Sequence, residues 1–151
     1  MNYLRSKKGS ERSEGSYNEV KRFLSEAKGS YILEDLKKAI TRLEEVLEQP
    51  KTAINRDSAI KRFELCFDLT WKTLKEFAKK QGLECYSPRS CFETGFQLKL
   101  INEPEPWLDM LADRNLTVHL YNENQADQVY DKLEKHKNAI KDLVNKLNQS
   151  F

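Results

Sequence analysis

Between Glu123 and Phe151, side chains suited to a buried seam recur at alternating steps of three and four: Ala126, Val129, Leu133, His136, Ile140, Leu143 and Leu147. Only a helix that lays one face along another helix can use this pattern, because a strand would scatter the same residues over both of its faces. A second row, Tyr130, Val144 and Phe151, runs beside the seam and is interrupted by Lys137. His136 takes a seam position, where a lone histidine reads first as a hydrogen-bonded packing residue rather than a ligand.

The same period appears twice upstream. Leu33, Leu36, Ile40, Leu43 and Leu47 predict a helix capped by Ser30 and closed near Pro50. Ile60, Phe63, Phe67, Trp71, Leu74 and Ala78 predict a second, opened by Asn55 or Asp57 and stopped by Gly82. Leu65 and Leu69 widen its stripe, which marks it as the central helix, covered on more than one side. Ser87-Pro88 reads as cap and first residue of a shorter helix to about Ile101. Pro104 and Pro106 then break the chain before another helix from near Trp107.

With only five glycines and four prolines in 151 residues, little of the chain is available for tight turns. The expectation is an all-α, antiparallel up-and-down bundle of four or five helices over residues 30–151. Residues 1–29 hold three of the five glycines and few apolar groups, and read as a mobile leader.

With 26 basic and 24 acidic residues, the chain as a whole does not attract nucleic acid, so any RNA contact must be local. No apolar segment is long enough for a signal peptide or a membrane span. The odd set Cys66, Cys85 and Cys91 lacks zinc-site pairing, which favours a reducing cytoplasm. Cys66 reads as a core residue and Cys85 and Cys91 as exposed thiols beside a turn.

One stretch carries chemistry. Arg114-Asn115-Leu116-Thr117-Val118-His119-Leu120-Tyr121 sets a fixed cation near a group that titrates around neutrality. On a regular helix, Arg114 and Tyr121 share a face with Trp107, Leu111 and Val118, while Asn115 and His119 pair on the next. Arg114 and His119 then stand about 140° apart. They can meet only through a helix end, a kink or a second chain, so a two-fold dimer is attractive. The set suits metal-free RNA cleavage: His119 moves a proton, Arg114 holds the phosphate and Asn115 orients either. No metal-ligand cluster and no glycine-rich phosphate loop is evident, so neither metal nor cofactor is expected. Asp109 and Asp113 on the same helix read as a solvated face.

The motif resembles the arginine, four residues, histidine, one residue, tyrosine signature of the HEPN domain superfamily. Its branch of nucleotidyltransferase substrate-binding proteins, encoded beside a minimal nucleotidyltransferase (MNT), is the most similar. The segment from Arg62 to Lys75 and Ser87-Pro88-Arg89 agree with it, and the similarity covers residues 31–149. The resemblance implies a HEPN bundle, similar to the helical domain of aminoglycoside nucleotidyltransferases, usually a homodimer with the motifs facing a shared cleft. It implies a toxin that is a metal-independent endoribonuclease, with Arg114, His119 and Asn115 catalytic and RNA as substrate. An MNT partner encoded nearby would silence it by adenylylating Tyr121. The alternative it implies is a noncatalytic substrate-binding subunit docked on a separate nucleotidyltransferase domain.

Overall fold

The computed structural model describes the backbone of residues 2–150 and the side chains of residues 14–150. The side chains of Tyr3 and Leu4, and all of Phe151, lie outside the described residues. Among the described residues there are six α-helices: α1 (Asn2–Leu47), α2 (Ala53–Lys80), α3 (Pro88–Gln97), α4 (Glu105–Leu116), α5 (Glu123–Tyr130) and α6 (Leu133–Asn148). A 3-10 turn, Thr117–His119, follows α4, and there is no strand among the described residues. The all-α bundle expected from periodicity is the fold observed.

The helix α2 is the axis, packed against α1, α3, α5 and α6. Its stripe is buried at Ile60, Phe63, Phe67, Leu74 and Ala78, although Leu65 faces solvent. Its cap is Thr52, not Asn55 or Asp57: the Thr52 hydroxyl accepts from the Asn55 N–H at 3.1 Å. Asn55 instead ties its amide to the Pro50 carbonyl at 2.8 Å. Gly82, at φ 78°, ends the helix as expected, because only a residue without Cβ takes this turn cheaply. Ser87 caps α3 through a reciprocal bond pair with Ser90.

Ser30 does not cap α1; the helix runs straight through it. No proline lies between residues 2 and 47, and a serine or glycine inside a helix costs only about 0.5–1 kcal/mol against alanine, too little to break it. The helix therefore continues back from the bundle through residues expected to form a leader. What changes near residue 25 is packing: residues 14–24 are exposed, whereas Gly29 and Leu33 are buried. Lys28 secures the junction by pairing with the buried Glu76 at 3.1 Å.

The C-terminal seam is buried at all seven positions, but two helices carry it instead of one. The chain breaks at Asp131-Lys132, where the Lys132 ammonium is drawn 2.8 Å from Asp113 and 3.3 Å from Asp109. Cys85 and Cys91 are a second correction. They are buried and joined in a disulfide, because the turn into α3 brings their Cα atoms to 5.1 Å. Cys66 is a free core thiol whose pKa burial pushes up to about 12.

Candidate functional site

The motif straddles the end of α4. Thr117 and Val118 are β-branched and tolerate a helix poorly. The Thr117 hydroxyl donates to the Arg114 carbonyl at 2.6 Å, competing with helical bonding where the chain tightens into the 3-10 turn. The regular-helix geometry expected for residues 107–121 therefore stops at Leu116. Trp107 is buried and Leu111 half-buried, while Val118 and Tyr121 are exposed, so the four do not form one stripe.

Arg114, in the last turn of α4, is largely covered and directs Nη2 to Asp68 of α2 at 3.6 Å. Its Nε is buried without a hydrogen-bond partner. Asn115 is exposed beside it. His119 ends the 3-10 turn, exposed, with Nδ1 3.0 Å from the Tyr121 hydroxyl. The Tyr121 side chain is 81% exposed, and its backbone N–H donates to Gln125 Oε1 at 3.0 Å. The structure thus joins His119 to Tyr121 and Arg114 to Asp68, and no hydrogen bond links the two pairs within one chain. A helix end is present, as the angle between Arg114 and His119 demanded, but it does not close the gap by itself.

Two depressions flank the turn. One, of about 170 Å³, is lined by His119, Asp113, Gln125, Gln128 and Lys132. The other, of about 430 Å³, lies between Tyr121, Arg56, Lys61 and Glu64. Arg56 is held by Asp57 at 3.1 Å and Asp127 at 3.2 Å, so it braces α2 against α5 rather than offering a free cation.

Behind the motif lies a network that periodicity alone did not reveal. Asp113 is not on a solvated face: it is buried, accepts from Lys132 at 2.8 Å and sits 2.6 Å from His136 Nε2. His136 stacks on Phe63 with ring centroids 5.5 Å apart. Asp109 completes the group. Burial alone would raise its carboxyl, but the Lys132 hydrogen bond and charge, with His136 and Lys135 nearby, hold it below the usual range. Asp109, Asp113 and His136 bring ligand-type atoms within 4.8 Å of one another. The Lys132 ammonium already stands at both carboxylates, so an amine takes the place a cation would fill. A signal for Asp113 was available: a histidine at a buried seam position requires a partner, and an acid on another helix of the bundle, here α4, can supply it.

A family model described as "nucleotidyltransferase substrate binding protein like" matches residues 31–149. No curated protein matches the chain. A crystal structure from Thermus thermophilus is similar at 32% identity and TM-score 0.70, over 74% of this chain and 98% of that one. A Haemophilus influenzae protein, described as revealing the fold of a substrate binding domain of a nucleotidyltransferase, aligns at 22% identity and TM-score 0.66, over 77% and 98%. A tri-AMPylated Shewanella oneidensis HEPN toxin, in complex with an MNT antitoxin, aligns at 20% identity and TM-score 0.67, over 80% and 96%.

Proposed function

The chain belongs to the nucleotidyltransferase substrate binding protein-like family, a HEPN-like helical fold, and from that premise we propose that it is the toxin of a HEPN/MNT pair. In this reading it is a metal-independent endoribonuclease. A nucleotidyltransferase antitoxin encoded nearby silences it by adenylylating Tyr121. The observation that carries the reading is the 3.0 Å contact between His119 Nδ1 and the Tyr121 hydroxyl, both on the surface. An imidazole there can take the proton of an RNA 2′-hydroxyl as that oxygen attacks the adjacent phosphorus, and return a proton to the departing 5′-oxygen. Arg114 would offset the charge that grows on the phosphate, with Asn115 beside it. Because Arg114 points to Asp68, that role calls for a homodimer in which each motif faces its copy.

The same contact explains silencing. Attack of the Tyr121 oxygen on the α-phosphate of ATP releases pyrophosphate and leaves an anionic phosphodiester one hydrogen bond from the imidazole. That group fills the surface an RNA phosphate would need. The test is cleavage of RNA by the purified protein in EDTA. The reading expects cleavage by the natural chain and none by His119→Ala; equal cleavage by both overturns it.

A second reading has its own support. Leu116, Val118 and Tyr121 expose apolar surface around the motif, which suits docking of a noncatalytic subunit on a nucleotidyltransferase domain. That reading expects a tight complex with the neighbouring nucleotidyltransferase and no cleavage by either form.

A further inference from the structure

A second polar surface lies at the other end of α2. From Asp68, which meets Arg114, to Lys79 is about 16 Å of helix. There α1 runs on past the end of α2, and the α1 face that would continue the bundle is polar: Asn18, Lys21, Arg22 and Ser25. Two adjoining concavities of about 380 and 350 Å³ share Lys21 and Lys79. The first is completed by Arg22 and Lys80, the second by Lys75, Leu83 and Tyr86.

The charge balance of this groove is lopsided. Five cationic side chains line it against two carboxylates, in a chain with a net charge of only +2. Both carboxylates are engaged, Glu26 by Arg22 at 3.2 Å and Glu84 by the Tyr86 hydroxyl at 2.6 Å. Lys21 and Lys79 have no acidic partner among the described residues, and Lys75 lies over the Tyr86 ring at 5.5 Å from its centroid. Lys79 and Lys80 also answer the negative end of the α2 dipole, but Lys21, on α1, lies outside that turn and has no such reason. Tyr86 is exposed, and the adjacent Cys85–Cys91 disulfide anchors its loop to α3.

We propose that this groove binds single-stranded RNA, with Lys21, Lys75 and Lys79 along the phosphates and Tyr86 stacking an unpaired base. Cations that track a backbone beside an aromatic platform are what such a strand requires. An acidic peptide would use the lysines and leave the ring idle. The site is separate from the motif and does not depend on whether the motif cleaves.

The test is fluorescence anisotropy of a labelled, mixed-sequence single-stranded RNA with the full chain carrying His119→Ala, so that binding is read without cleavage. A Lys21→Gln, Lys75→Gln, Lys79→Gln variant in that background is expected to bind at least tenfold more weakly. Its dependence on log salt should be shallower by about 2, since each single-strand phosphate contact contributes roughly 0.7. Tyr86→Ala is expected to cost about five- to a hundredfold, with Tyr86→Phe close to the parent. Unchanged affinity and salt slope in the triple variant overturn the proposal. So does loss of binding in Arg114→Gln while the triple variant binds normally, which would place the RNA at the motif. Binding to phosphatidylserine vesicles without binding to RNA overturns it in favour of a membrane surface. Failure of the natural chain to cleave RNA that the groove still holds would sink the ribonuclease reading alone.

Discussion

The chain has two histidines, 17 residues apart, and they occupy opposite situations. His136 is buried, stacked on Phe63 and bonded to a buried carboxylate that also holds a lysine. His119 stands in a turn at the surface, with the hydroxyl of an exposed tyrosine as its one hydrogen-bond partner among the described residues. One polar side chain is over-determined by its surroundings and the other is almost undetermined. The first arrangement serves the fold, because His136 and Asp113 are buried and bonded to each other. The second contributes little to folding and leaves a proton-carrying group open to a ligand. The two meet at α4, whose Asp113 faces inward to His136 and whose C-terminal turn carries His119 outward.

Asp113→Ala tests the inward half and should have the largest effect. It leaves His136 without its carboxylate inside the bundle and removes the closest partner of Lys132. The expected loss is about 3 kcal/mol, between the cost of an unpaired buried group and that of a broken buried ion pair. Urea unfolding followed by circular dichroism measures it. A loss below about 0.5 kcal/mol would show that the network is not what holds α4 to α6.

That network also marks where the sequence stopped being legible. The seam from Ala126 to Leu147 announced its buried face because every member lies on one local helical pattern. Asp113 announced nothing locally: its partners Lys132 and His136 are 19 and 23 residues away, beyond any helical period. The break between α5 and α6 was hidden for the same reason, since the pull of Asp109 and Asp113 on Lys132 is tertiary. The motif was legible in residue type and in its place near a helix end. Where α4 stops was not, because Thr117 and Val118 end it without glycine or proline. Cys85 and Cys91 read as free thiols because a spacing of six says nothing about a turn that closes their Cα atoms to 5.1 Å.

The pH dependence of stability probes the same inward network with a smaller effect. The Asp113 hydrogen bond is the main cause that keeps the Lys132 ammonium above the usual amine range, and Asp109 lies below the usual carboxylate range. A depressed carboxyl contributes stability above its unfolded value, about 3.9, and loses it as pH falls through the folded value. A raised amine contributes fully below its unfolded value, about 10.4, and loses it as pH rises through the folded one. The stability that these two groups contribute should therefore be held across neutral pH and lost at both ends. Asp109→Asn should soften the acid limb, by less than Asp113→Ala costs, because Asp109 is 38% exposed and screened by water. An acid limb unchanged by Asp109→Asn would remove this residue from the network.

His119→Ala addresses the outward half. It should shift the unfolding free energy by no more than about 0.5 kcal/mol, as expected of a surface residue with one exposed hydrogen bond. RNA cleavage is expected to disappear in the same preparation. A destabilisation comparable to that of Asp113→Ala would erase the contrast between the two histidines, because His119 would then serve the fold as well.

The smallest stability effect should come from Tyr121→Phe. The ring is 81% exposed and the change deletes a single oxygen, so melting should not move measurably. Its chemical consequence is absolute, because phenylalanine has no oxygen to attack a nucleotide. Coexpressed with the proposed nucleotidyltransferase partner, the natural chain is expected to gain adenylyl mass on the peptide containing Tyr121, and the variant to gain none at that position. The Gln125 side chain accepts from the Tyr121 N–H and the Asn122 side chain caps α5 at the Gln125 N–H, neither bond using the phenol, so the phenylalanine should occupy the same exposed place. A negative result would then report the missing hydroxyl rather than a rearranged loop. An adenylyl group found elsewhere on the natural chain, with Tyr121 bare, would separate silencing from the His119 contact and remove the reason for placing the two side chains in one device.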